Sequence, residues 1–210
     1  MTNSPLLNAF DQDNAAFLTY TVGGDPNKET SLEIFREIAR SGADIIECGL
    51  GHGANIGDGG AIQDGTYRAL SNGIKTDDVF DIIKTLRNEF DTNVIIMTYQ
   101  NKIMSYGEES FLSKCVESKV AGIICVDWPW PLNLNFAAKC KKNNIDFIQL
   151  LCPTTNEERL KLILNDAHDV VYYISMLSTT GQKLKVSPTE IKDRFNLIKR
   201  IAPEKKCIIG

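Results

Sequence analysis

Short, continuous apolar runs recur along this chain, and each is followed by a segment with helical spacing. "AAFLTYTVG" (15–23) ends in the turn signal Gly-Gly-Asp-Pro; the next segment places Leu32, Ile34, Phe35, Ile38 and Ala39 at helical intervals before a closing glycine. The alternation continues through "DIIECGL" (44–50), "NVIIMTY" (93–99), "AGIICVD" (121–127), "IDFIQLLC" (145–152), "VVYYISML" (170–177) and "KCIIG" (206–210). Between them lie "AIQDGTYRALSNG", "TDDVFDIIKTLRNEF" with a Thr or Asp cap, and helical segments at 108–119, 133–143, 156–166 and 187–201. Strands that are apolar on both faces need cover on both sides, so the pattern predicts a parallel sheet wrapped by helices. An open doubly wound sheet and an eight-fold barrel both satisfy it, and both put their chemistry at the carboxyl ends of the strands. The strict repeat favours a TIM (β/α)8 barrel. It reaches only its seventh strand by residue 210, so the expectation is one incomplete barrel domain, residues 1–210, with no linker interrupting it.

The composition, 43% hydrophobic and 24% charged, is that of a globular protein. A net charge of −4 with no basic stripe argues against a nucleic-acid surface, and Lys139, Lys141 and Lys142 read as a solvated helix face. No apolar run approaches the roughly 20 residues of a membrane span, and "MTNSPLLNAFDQDN" lacks the regions of a signal peptide. Six cysteines without a CxxC pair, several inside strand-like runs, point to a reduced, cytoplasmic compartment. With His52 and His168 the only histidines, no metal site is expected.

Glu47 stands alone as an acid within an apolar strand. Alternation puts it on the face opposite Ile46 and Cys48, and in a barrel one strand face points to the lumen. A buried carboxylate titrates closer to neutrality, as an acid/base group requires; a neighbouring Lys or Arg that neutralises it is the alternative. Asp58, eleven residues on, is a second acid, in an Asp-Gly pair that is also a common turn. "GLGHGA" (49–54) mimics a dinucleotide fingerprint, but "NIGDGG" cannot open the helix that the fingerprint needs. Cys48, His52 and Asp58 are too unlike and too loosely placed to suggest metal ligands. "STTGQK" (178–183) could present backbone N–H groups to a phosphate or form a lid. Tyr20, Tyr99 and Tyr172, at or inside strand ends, could line a pocket for a flat aromatic ligand, though each could equally be core.

Ordered landmarks then carry a resemblance over residues 7–210: "GGDP" (23–26), "SGADIIECG" (41–49), "GDGGAIQ" (57–63), Tyr99-Gln-Asn101, "VDWP" (126–129) and "TTG" (179–181). In these the chain resembles the tryptophan synthase α-subunit family. The resemblance implies a TIM-barrel lyase that cleaves indole-3-glycerol phosphate to indole and glyceraldehyde 3-phosphate by a retro-aldol reaction in tryptophan biosynthesis. It implies that Glu47 is the general acid/base and that Asp58 hydrogen-bonds the indole N–H. It further implies that Tyr20, Tyr99 and Tyr172 lie at the substrate, that Thr180 positions Asp58 from a mobile loop, and that Gly181 contacts phosphate. No cofactor is implied for this chain; pyridoxal phosphate would belong to a β-subunit partner.

The loop after Glu47 departs from the family pattern. Gly51 and Asn55 stand where prolines are usual, His52 replaces a Phe, Gly53 and Ala54 replace Ser and Asp, and Gly60 replaces a Pro. The resemblance places this loop against the β subunit, so the contact at Gly51, His52, Gly53, Ala54 and Asn55 is altered. Replacing proline by glycine loosens a loop, so Asp58 is expected to be held less firmly. An incomplete barrel would lack the phosphate loops after strands seven and eight and would leave two sheet edges open. Two other readings therefore stand beside the lyase: a catalytically impaired fragment or regulatory module, and a stand-alone lyase that releases indole without a β partner.

Overall fold

The computed structural model describes residues 4–11, 14–175 and 186–210. Its first unit is β1 (Leu18–Val22) followed by α1 (Lys28–Arg40), whose N-terminus is capped by the Asn27 side chain accepting from the Thr30 amide at 2.9 Å. Next come β2 (Ile45–Gly49), α2 (Gly60–Ser71), α3 (Thr76–Glu89), β3 (Asn93–Thr98), α4 (Gln100–Tyr106) and α5 (Glu108–Glu117). The chain continues with β4 (Gly122–Cys125), α6 (Leu134–Lys142), β5 (Asp146–Phe147), β6 (Gln149–Leu151), α7 (Glu157–Asp166), β7 (Val170–Tyr173), α8 (Pro188–Ile201) and β8 (Lys206–Ile209). All pairings among the described strands are parallel, in the orders β1-β2-β3-β4-β5 and β6-β7-β8.

The two sheets are one ring interrupted at its fifth position. The run 145–152, read as a single strand, is split at Ile148, whose amide donates to Ile123 O at 2.9 Å before Gln149 turns to pair with β7. The described residues thus occupy seven strand positions, and a cleft of about 970 Å³ separates β1 from β8. Two strand faces give two cores. Ile46, Cys48, Val94, Ile96, Ile123 and Cys125 pack outward on the helices, while Ile45, Ile95, Met97, Ile124, Ile148, Val170 and Ile208 fill the lumen.

A 3-10 turn, Leu7–Phe10, closes the amino-terminal end of the barrel. Leu6 and Ala9 join the lumen core, the Ser4 hydroxyl bonds the Asp146 carboxylate, and the Ser4 amide donates to Asp169 Oδ2 at 3.3 Å. The cap of α3 differs from the expected Thr or Asp: Lys75 is the cap residue, and the Asp78 side chain accepts from its amide at 2.9 Å. No described helix is long and apolar enough to cross a membrane.

Candidate active site

Glu47 is the central residue of β2, level with Tyr20 on β1 and Ile95 on β3. It shares the lumen face with Ile45, as alternation predicts, and is only 6% exposed. Among the described residues no cation pairs with it and no donor hydrogen-bonds it, so the neutralised-acid alternative finds no partner. Burial, reinforced by the charge of Asp58, pushes the Glu47 carboxyl up to about 7.

Asp58 reaches the same mouth from the loop between β2 and α2 and is 4% exposed. Its environment is the opposite of that of Glu47. Asn55 Nδ2 donates to Oδ2 at 2.8 Å, the Tyr99 hydroxyl donates to Oδ1 at 3.4 Å, and Gln63 Nε2 donates to the Asp58 carbonyl at 2.8 Å. Burial raises the carboxyl, and the bonds from Asn55 and Tyr99 offset only part of that, so it stays above its usual range. Among the described residues one acid is thus without donors and the other is held by them, so the two carboxyls sit in unlike environments.

The tyrosines surround this pair. The Tyr20 hydroxyl lies over Gly49, where an added Cβ would come within 2.2 Å of it, so a side chain there would displace the Tyr20 ring. Burial, then the charges of Asp58 and Glu47, push the Tyr20 phenol well above its usual range. Tyr172, on β7 across the cleft, is pushed up by burial and by Glu47. Tyr99 caps the far side, accepting from the Gly57 amide at 3.1 Å, with the His52 ring 5.5 Å from its own. Burial is the main reason its phenol is raised to about 12. Cys48 belongs to the outer core, turned away from His52 and Asp58.

The structure thus brings together Glu47, Asp58, Tyr20, Tyr99 and Tyr172. Thr180 and Gly181, and with them the whole of "STTGQK", lie outside the described residues. Of the altered loop, Gly53 and Ala54 are exposed, Gly51, His52 and Asn55 are half-buried, and neighbouring Ile56 is 77% exposed at the barrel mouth. Two contributors escape the sequence reading. Asp127 Oδ1 accepts from the Gln100 amide at 2.7 Å and so caps α4, the helix that follows Tyr99. Asn55, read as a lost proline, is a carboxylate clamp; the Asn-x-x-Asp spacing, which suits a side-chain bond across a tight turn, is the signal that could have shown it.

Fold and site together define a TIM-type barrel with an unlike pair of carboxylates, one inside β2 and one in the loop that follows it. The family model described as "Tryptophan synthase alpha chain" matches residues 6–206. The tryptophan synthase alpha chain of Pelagibacter ubique is 52% identical over 196 residues, covering 93% of this chain and 74% of that one. The alpha chain of Methanocaldococcus jannaschii is 38% identical, covering 92% and 68%. Among solved structures, a chain from Aquifex aeolicus superposes with a TM-score of 0.86 at 31% identity, over 98% of this chain and 79% of that one. A chain from the tryptophan synthase α2β2 complex of Pyrococcus furiosus gives 0.82 at 32% identity, over 100% and 79%. The chain belongs to the tryptophan synthase alpha chain family, and with it to the lyases of tryptophan biosynthesis.

Proposed function

We propose that this chain cleaves indole-3-glycerol phosphate to indole and glyceraldehyde 3-phosphate. The observation that carries the reading is the contrast between Glu47, buried in the lumen with neither cation nor donor among the described residues, and Asp58, held by donors at both oxygens. Glu47, titrating near neutrality, delivers a proton to C3 of the indole ring and assists loss of the proton from the side-chain hydroxyl as the C–C bond breaks. Asp58 accepts from the indole N–H and stabilises the positive charge that appears on the ring once C3 is protonated. Tyr20, Tyr99 and Tyr172 supply aromatic walls, and Thr180 and Gly181 match the family positions that steady Asp58 and contact the phosphate. The chemistry is proton transfer and bond cleavage, for which the chain needs no cofactor of its own.

The natural partner is a β subunit carrying pyridoxal phosphate, in an α2β2 assembly like that of the Pyrococcus furiosus relative. The loop around Gly51, His52, Gly53, Ala54 and Asn55, with exposed Ile56, faces out of the barrel mouth and is the surface offered to it. The six free thiols suit a reduced cytoplasm. The test is indole release by the chain and by Glu47→Gln, with and without a β subunit. Release that depends on Glu47 and rises with β is expected; release unchanged in Glu47→Gln overturns the assignment. No stimulation by β would point to the stand-alone lyase.

A further inference from the structure

Asp58 is gripped by more than its own backbone. Asn55 Nδ2 donates to Oδ2 at 2.8 Å, and the Asp58 amide donates back to the Asn55 carbonyl at 3.1 Å, which closes a small ring around the turn. The other oxygen takes the Tyr99 hydroxyl from the far end of β3. That hydroxyl is itself aimed by the Gly57 amide, and the fit is close: a Cβ at Gly57 would lie 3.3 Å from it. The two carboxylate oxygens thus have one donor each, from two different elements. A carboxylate fixed at both oxygens has one orientation, whereas one fixed at a single oxygen can turn about its Cβ–Cγ bond. The sequence suggests a loop loosened at position 55. The hydrogen bonds show that the residue there supplies a side-chain donor to Asp58.

We propose that Asn55 is a positioning residue of the reaction: its side-chain amide, opposed by the Tyr99 hydroxyl, sets the direction in which Asp58 presents its carboxylate to the indole N–H. This deepens the function proposed above and rests on it. The bond matters more in the transition state than in the bound substrate, because the ring charge that Asp58 must meet develops only as C3 is protonated. Loss of the amide should therefore lower kcat more than it raises KM.

Two substitutions at 55 separate positioning from mere loop structure. Asn55→Ala removes the donor. Asn55→Asp keeps its size but replaces the donor, once ionised, with a second carboxylate beside Asp58. The other titratable groups facing Asp58 are Tyr99 at the end of β3, Glu47 on β2 and Tyr20 on β1, with His52 of the same loop against the Tyr99 ring. All remain in every variant, so the ratio of variant to wild-type kcat isolates the change at 55. For Asn55→Ala, kcat should fall about 10- to 100-fold while KM stays within about threefold. The loss should be greatest at low pH, since Asp58 without its donor holds a proton more tightly. For Asn55→Asp the trend should invert: the ratio is best while the two acids share a proton and falls as pH rises and they repel.

A 13C NMR titration of the Asp58 carboxyl in the full chain gives a readout that needs no turnover, and Asn55→Ala should move its midpoint upward. An unmoved midpoint with kcat within about twofold of wild type overturns the inference. If Asn55→Ala does not fold, an Asn55→Asp ratio that is flat with pH overturns it instead. Asp58→Asn keeps the two levels distinct. If it is inactive while Asn55→Ala is fully active, only the positioning role fails; if it is fully active, the role of Asp58 fails and this inference with it.

Discussion

Ionising Glu47 costs the fold stability. Its carboxyl, near 4.5 in an unfolded chain, is raised to about 7 by burial and by Asp58, so the folded state binds the extra proton between those values. Stability from this group is full below 4.5, declines as pH rises through 7, and is then lower by on the order of 3 kcal/mol. Glu47→Gln does not titrate and should melt above wild type at pH 8, with the gap closing toward pH 4.5. Parallel melting curves across that range would show that Glu47 is not carrying the strain. The same substitution should abolish turnover, a trade of stability for activity at one atom pair. Much at this scale was legible: alternation alone put Glu47 in the lumen, and isolation of an acid among apolar neighbours marked it. What the sequence could not show is that no cation among the described residues meets it, because such a partner would come from another strand. The grip on Asp58 was hidden for the same reason, since one of its donors, Tyr99, is 41 residues away.

At the scale of single elements, β2 is shaped by its neighbour. Gly49 ends the strand because the Tyr20 hydroxyl occupies the space of a side chain there. Gly49→Ala should therefore cost about 1–3 kcal/mol in chemical denaturation. In a Tyr20→Ala background the second change should cost less, so the pair should be clearly non-additive; simple additivity would mean that the contact is easily relaxed. The strands and most helices were readable from their periods, most ends within a residue or two, though β1 starts three residues later and β7 ends four residues earlier than the apolar runs suggest. Two features were not. The seven residues of α4 are too few to show a period, and the helix is started from outside by Asp127. The break at Ile148 leaves no mark in a uniformly apolar run, because it records a change of partner from β4 to β7 rather than any local preference.

At the scale of the whole molecule, the lumen core takes in a residue that precedes the first strand. Leu6 is fully buried in the lumen core, and its Cδ1 sits 3.1 Å from where a Cβ on Gly122 would be, beside Ile148 and Ile95. Leu6→Ala should cost about 2–5 kcal/mol, as for an interior leucine, rather than the near-zero value usual at a chain end. Equilibrium denaturation checks this, and a loss under about 0.5 kcal/mol would mean that the segment is not part of the core. Fold class and the helix-covered parallel sheet were evident from the sequence. This plug was not, because "MTNSPLLNAF" has neither strand nor helix period and gains its role only from the ring it closes.

That closure fixes an order of events during synthesis. Ser4 and its partner Asp169 are 165 residues apart, and the Asp146 bond spans 142. At ordinary elongation rates the amino-terminal segment waits roughly ten to thirty seconds before the ribosome has made the last wall of its socket. During that interval Leu6 and Ala9 are apolar surface with nowhere to dock. The lumen is sealed at its base only after β7 has emerged, so the segment around Leu6 is made well before it can fold into place.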